Sequence, residues 1–417
     1  MDVGFRSIHI TKMDKNISTD IIIVGGGLAG MSLACALGSA KISTILVEPI
    51  DPTYIVSDEY DGRTTAVAAS SKRMLDVLGV WKDVESYAQP IWEIRVADSG
   101  SPFFVHYDHV DCGAEALGWI VENKILRTAM LSRLRELSSV RLLFKRKLID
   151  FKISQSKASC TLSDSTQICS RLIVAADGRN SPTRQKAGIS VVEWQYDQQA
   201  ILCTVAHERK HLGVAHEHFL KSGPFAILPL TGKRASIVWT EKKFLAPHIV
   251  NLSDNDFMEE LSLRFGNFLG PLDLRGPRWC IPLGLMHAST YISERVVLAA
   301  DAAHTIHPIA GQGINIGWRD IAALAEVVID AMRLGLDPGS KLTLKKYESW
   351  RRTDNTIMLA TTDNLNRLFS NDTLGLVIAR NIGLASVQRL PSLKKLLMRH
   401  AMGDVGDLPK LITGSPI

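Results

Sequence analysis

Residues 20 to 48 read DIIIVGGGLAGMSLACALGSAKISTILVE. The opening run, Asp20–Val24, is apolar and β-branched without alternation, as expected of a strand buried on both faces. It passes directly into Gly25-Gly26-Gly27-Leu28-Ala29-Gly30, and Met31–Leu37 continues as an apolar helix. Ser43–Val47 is a second strand of the same kind, closed by Glu48. The order strand, Gly-rich turn, helix, strand, acid places G-x-G-x-x-G at Gly25, Gly27 and Gly30. Each glycine answers a physical demand. Gly25 permits the tight turn, Gly27 admits a pyrophosphate to the backbone, and Gly30 lets helix and strand pack closely. Glu48 can accept from ribose hydroxyls. A carboxylate there repels a 2′-phosphate, so the site suits FAD or NAD rather than NADP.

A second stretch, residues 296 to 320, reads VVLAADAAHTIHPIAGQGINIGWRD. Val296–Ala299 is a short buried-type strand and Asp301 follows it. After Pro308, the turn Gly311-Gln312-Gly313 opens a new helix from Ile314 and Asn315 onward. Ligands of open α/β sheets sit outside the carboxyl ends of strands, and a helix N-terminus adds a partial positive charge. Two strand-end acids and two Gly-rich loops far apart in sequence suit one extended ligand held at both ends. The first loop would hold an adenosine pyrophosphate. Asp301 would meet a polyol, and the second loop would face an electron-accepting ring, which a flavin supplies.

Between these stretches, Asp61-Gly62-Arg63-Thr64-Thr65 is a polar turn, and Asn123 and Lys124 mark a strand-to-helix junction within Gly118–Leu137. Leu172–Ala175 is another buried-type strand, ending in Asp177-Gly178-Arg179-Asn180-Ser181. Residues 190–283 alternate between apolar and polar and are punctuated by Gly223-Pro224 and Gly232-Lys233, the pattern of an antiparallel sheet inserted into the first domain. Phe219, Phe225, Leu228, Pro229 and Trp239 are its candidate pocket residues, though each taken singly reads more readily as core. The expected organisation is α/β. A Rossmann-like FAD-binding domain occupies 18–90, 117–189 and 284–365, an antiparallel-sheet substrate domain occupies 91–116 and 190–283, and C-terminal helices occupy 366–417.

The 417 residues carry a net charge of +5, too mild to indicate nucleic acid. Six cysteines without a C-x-x-C pair point to no metal and to a reducing, cytoplasmic setting. No apolar stretch approaches the roughly 20 residues of a spanning helix. Residues 373–402 combine five basic side chains with many aliphatic ones and no acid. That pattern suits peripheral contact with the inner membrane face, or more simply the solvated side of packed helices.

The chain resembles the class A FAD-dependent aromatic monooxygenases, and within them the UbiH/UbiF/Coq6-type ubiquinone biosynthesis hydroxylases. The resemblance rests on DIIIVGGGLAGMSLACAL, LGWIVENKIL, AADGRNSPTR and DAAHTIHPIAGQGINIGWRD, with TDNLNRLFSND and AMGDVGDLPKLITG near the C-terminus. It implies that FAD contacts Gly25, Gly27, Leu28, Ala29, Gly30, Glu48, Arg63, Asn123, Asp177 and Asp301. The loop Pro308, Gly311, Gln312, Gly313, Ile314 and Asn315 would flank the flavin ring. The implied reaction hydroxylates the ring of a polyprenylated phenol, or a quinone precursor, through a C4a-hydroperoxyflavin. It would use O2 and NAD(P)H or a redox partner protein, and could proceed within a biosynthetic complex. Competing expectations are a flavin monooxygenase for another small aromatic and a non-catalytic flavin-binding subunit. The flavin would carry the chemistry, no residue stands out as a general base, and His304 and His307 read as structural. One position departs from the family pattern: Ala300 stands where Gly is usual before the aspartate. If the backbone there needs a positive φ, alanine costs on the order of 1 kcal/mol.

Overall fold

The computed structural model describes residues 16–52, 61–98, 104–369, 383 and 386–417. A six-stranded sheet forms the centre of the molecule. Ile21–Val24 and Leu172–Ala175 lie in its middle, Thr44–Glu48 and Val140–Phe144 extend it on one side, and Val296–Leu298 and Ile292–Ser293 on the other. All its pairings are parallel except the last one. Every residue of the Ile21–Val24 and Thr44–Glu48 strands is buried, as their unbroken apolar runs require.

Helix α1 (Leu28–Ser39) begins as soon as the glycines end and is buried along most of its length. A long eight-stranded sheet, mostly antiparallel, holds Glu93–Asp98, Phe104–Asp108 and the strands from Val191 to Ala288. Its strand Leu272–Ala288 runs on through the expected domain boundary at 283/284 and pairs with the eighth strand, His304–Thr305, at the sheet edge. Helix α2 (Asp254–Phe265) covers one face of this sheet around Phe225, Ile237 and Trp239. The other face turns towards the central domain. Helix α3 (Gly313–Arg333) follows the second Gly-rich loop, and α4 (Lys341–Phe369) packs on it.

The two glycine-led helices are fastened to each other. Trp318 Nε1, fully buried on α3, donates to Ser32 Oγ of α1 at 2.9 Å, and Ser32 in turn donates to Leu28 O. Fixing α1 against α3 fixes the relation between their two N-termini. Of the basic C-terminal stretch, helix α5 (Pro391–Ala401) is described. Arg380 and most of residues 373–385 lie outside the described residues.

Candidate functional site

The first loop obeys the demands read from its glycines. Gly25 has φ 108°, and a Cβ placed there would lie 2.3 Å from Ala176 O. A Cβ on Gly30 would lie 1.9 Å from Gly25 O. Gly27 differs, because its missing Cβ would project into open space. No side chain caps the α1 N-terminus that Gly27 begins. Open room in front of uncapped amides is what an incoming phosphate group needs. Glu48 is buried and accepts from Gly26 N at 2.5 Å and Ile50 N at 2.9 Å. Those bonds aim the carboxylate across the loop and leave lone pairs for further donors.

Around this end stand residues from two other segments. Arg63 forms a salt bridge of 3.0 Å to Asp61, and its guanidinium lies 5.7 Å from the Trp279 ring centroid. Asn123 accepts from Thr65 Oγ1 at 2.6 Å, and its backbone N donates to Arg63 O. Arg127 escaped the reading of the sequence. It lies one helical turn after Asn123, approaches Asp61 to 3.9 Å and feels the charges of Arg63 and Glu48. Burial and the nearby Arg63 lower its pKa, against the pull of the two acids. The i, i+4 spacing from Asn123 was the available signal. Asp177 accepts from Ser181 Oγ, Thr183 N and Thr183 Oγ1, so its side chain builds its own turn, while its Cα closes against Gly25.

The second loop is built on a buried charge network. Ala300 has φ 53°, the left-handed conformation that is costly for alanine. Its N–H donates to Asp320 Oδ2 at 3.3 Å, and the same oxygen lies 2.5 Å from His304 Nε2. Asp320 Oδ1 accepts from Arg351 Nε and Asn355 Nδ2, both at 2.9 Å. Burial alone would raise Asp320, but His304, Arg351 and Asn355 together hold it well below the usual carboxylate range. This network fixes the turn that carries Asp301.

Asp301 is crowded by protein yet remains open to solvent, as a residue on a cleft wall does. That crowding raises its pKa, against the opposing charges of His304 and Arg179. Arg184 ties the cleft together by donating to Arg179 O and Ala302 O at 2.9 and 3.0 Å.

Pro308 leads into a short turn over Ile309–Gly311, and α3 starts at Gly313. Gly311 has φ 62°, and a Cβ there would press on Ala66 at 2.8 Å. Gly313, like Gly27, faces open space at an uncapped helix start. Gln312 donates to Ala401 O at 3.1 Å. Asn315 is consumed locally: it accepts from Ala68 N and Ser71 Oγ and donates to Ala66 O and Gly311 O. It locks the loop to the Thr64–Ala68 strand, and Ile314 packs beside it against the core. His307 is fully buried and packs edge-on against Tyr196, and among the described residues neither ring nitrogen has a hydrogen-bond partner.

The candidate pocket residues divide by face. Phe225 and Trp239 are buried under α2, and Pro229 shares their side of the sheet. Phe219 and Leu228 point the other way, towards the cleft.

This residue set fits FAD. Two open, uncapped helix starts are held at fixed positions by the Trp318–Ser32 bond, Glu48 stands at one end, and Asp301 stands open at the other. Comparison with known proteins agrees. The FAD binding domain family model matches residues 18–359. The ubiquinone hydroxylase UbiL of Rhodospirillum rubrum is 46% identical over 95% of this chain and 93% of that protein. The 3-demethoxyubiquinol 3-hydroxylase of Escherichia coli is 34% identical over 93% and 99%. In fold, the crystal structure of p-nitrophenol 4-monooxygenase PnpA from Pseudomonas putida superposes with a TM-score of 0.78 at 17% identity, covering 94% of this chain and all of that one. The chain belongs to the FAD-dependent monooxygenases, in the family of the ubiquinone biosynthesis hydroxylases.

Proposed function

We propose that the protein hydroxylates the aromatic ring of a polyprenylated phenol on the way to ubiquinone. The observation that carries this is a two-ended FAD cradle opening onto the inner face of the large sheet, in a chain whose similarity to ubiquinone hydroxylases runs over nearly its whole length. Gly25, Gly27, Gly30 and the α1 N-terminus would hold the pyrophosphate, and Glu48 the adenosine ribose. Asp301 would meet the ribityl chain, and Pro308–Gly313 would border the ring. Arg63, Arg127 and Asn123 would close over the cofactor from the side. FAD, when bound, supplies the two-electron chemistry and O2 activation that no side chain provides. The protein contributes position, a fixed electrostatic field from the α3 N-terminus and exclusion of water. The reductant, NAD(P)H or a redox protein, would approach from outside.

Among the described residues, no helix is long and apolar enough to cross a membrane. Helix α5 exposes Leu396 and Leu397, with Leu390 just before it and Lys395 and Arg399 nearby. This supports peripheral contact with an anionic membrane surface, where a polyprenyl chain would reside.

The test is the lipid profile of a strain that lacks this protein and has no second hydroxylase of the kind. Accumulation of a polyprenyl phenol short of one oxygen, reversed by wild type but not by Asp301→Ala, is expected. An unchanged quinone pool contradicts the reading.

A further inference from the structure

We propose that Glu217 is the group that receives the phenolic hydroxyl of the substrate, from its place on the apolar inner face of the large sheet. This rests on the phenol hydroxylase reading above and adds the residue that the sequence did not single out.

The register of the sheet places the residue. Val96, Glu217, Ala226, Val238, Leu202 and Trp279 are successive Cα partners across six strands, so their side chains form one row on one face. His216 and His218, its neighbours along the strand, point to the opposite face, where His216 packs against Phe268 at 4.7 Å. The inner face is the one that meets the cofactor domain. Trp279 Nε1 donates to Asp61 O at 2.6 Å, beside Arg63. One step along the sheet, Ser236 Oγ lies 2.9 Å from Thr64 Oγ1, on the strand that Asn315 ties to the flavin loop. Leu228 packs in the same cluster as Ala66 and Ala69, to which Met398 of α5 and Met402 just after it also belong. Phe219, two residues beyond Glu217, stacks on Phe369 at the end of α4, 3.8 Å between centroids.

Within that row a carboxylate is out of character. Of the six side chains in its row, only Glu217 is ionisable. Asp98 and Tyr107, on the adjoining strands, are the other titratable groups that share the face near it. Among the described residues no donor hydrogen-bonds to the Glu217 carboxylate and no cation pairs with it. Like Asp301 it is hemmed in by protein yet still reached by solvent, and burial pushes its carboxyl up to about 7. An unpaired carboxylate on an apolar wall costs stability, and the cost is offset when a ligand brings a donor. A phenol does so. Its ring lies on the apolar row and its O–H points at Glu217. When the O–H bond breaks, the proton passes to a carboxylate oxygen and the electron pair stays on the phenol oxygen. The ring is then more electron-rich at its ortho and para carbons, where hydroxylation occurs.

The experiment uses the FAD-loaded full chain and two probes: a phenol bearing a short isoprenoid chain and its O-methyl ether. Binding is read from the flavin spectrum between pH 6 and 8. Wild type is expected to bind the phenol more tightly as pH rises through about 7, as the carboxylate forms, and to bind the ether weakly with no pH response. Glu217→Gln is expected to weaken phenol binding roughly tenfold and flatten its pH profile, with flavin content unchanged. A variant with wild-type affinity and pH profile overturns the proposal. So does equal binding of phenol and ether by wild type, a result that needs no variant to fold. If the flavin-loaded wild type binds neither probe, the phenol hydroxylase reading itself fails and this assignment falls with it.

Discussion

Ala300 and Gly317 are fitted to each other: Ala300 holds φ 53°, and a Cβ built on Gly317 would lie only 2.8 Å from the Ala300 Cβ. The methyl group at 300 occupies the room that glycine at 317 leaves. Ala300→Gly is therefore expected to be neutral to stabilising by up to about 1 kcal/mol, because relief of the left-handed strain outweighs the added freedom of the unfolded chain. Gly317→Ala alone is expected to cost about 1–3 kcal/mol by overpacking. In the Ala300→Gly background much of that cost disappears, since the next nearest atom, the Ala300 Cα, is 3.5 Å away. Urea unfolding of the four proteins checks the cycle; additive effects reject the fit.

Gly27 and Gly30 lie in one motif but should fail differently. Gly30→Ala puts a carbon 1.9 Å from a backbone oxygen and should prevent a stable fold. Among the described residues Gly27→Ala meets no atom within 4 Å, and its φ of −71° is ordinary. Apoprotein stability should stay within about 0.5 kcal/mol of wild type. FAD affinity should fall at least tenfold, which a fluorescence titration measures.

Asp320 organises the loop that bears Asp301. Asp320→Ala takes the acceptor from Arg351 Nε, which keeps Asp354 and Asn355 on its other nitrogens, leaves buried His304 without its carboxylate and frees the Ala300 N–H. A loss of about 3–5 kcal/mol is expected, together with loss of bound flavin. The pKa of Asp320 is lowered in the folded state, so its stabilisation is full above the unfolded value near 4 and is lost as pH falls through the folded one. Acid titration of the unfolding midpoint should show this loss in wild type and not in the variant.

His307 acts in a higher window. Burial lowers its pKa to about 4, partly countered by Asp363. An unfolded histidine takes its proton near pH 6.5, so stability falls as pH drops from about 6.5 to 4, by roughly 1.4 kcal/mol per unit at most. His307→Leu removes that share of the slope and leaves neutral-pH stability within about 1.5 kcal/mol. His287, also lowered to about 4 by burial and by His304, keeps its own share. An unchanged slope between pH 6.5 and 4 contradicts the assignment.

Much of this site was legible in the sequence because its parts are local. Gly25 to Glu48 and Val296 to Gly313 are contiguous, and their glycines carry backbone demands that a linear reading can state. The difficulty at Ala300 was visible for the same reason. Arg127 and Asp320 were harder, since their roles depend on which helix face meets which loop. Glu217 was not legible at all. The sequence places it between two histidines in an alternating run, and only the register of six strands shows that it faces the cleft while its neighbours face α2. The pocket candidates divided on the same point: apolar character does not tell Phe225 from Phe219, but the side of the sheet does. Asp177 and Asn315 were read as cofactor residues from their motifs. Their side chains prove to be engaged in building the turns that shape the cradle.

The central claim is that one FAD lies between the α1 and α3 N-termini with Asp301 on its sugar chain. A titration of the purified apoprotein with FAD, followed by flavin absorbance, tests it most directly. Wild type should turn yellow at one FAD per chain, and Asp301→Ala, with an unchanged circular dichroism spectrum, should lose the absorbance. A folded wild-type protein that stays colourless with excess FAD contradicts the account.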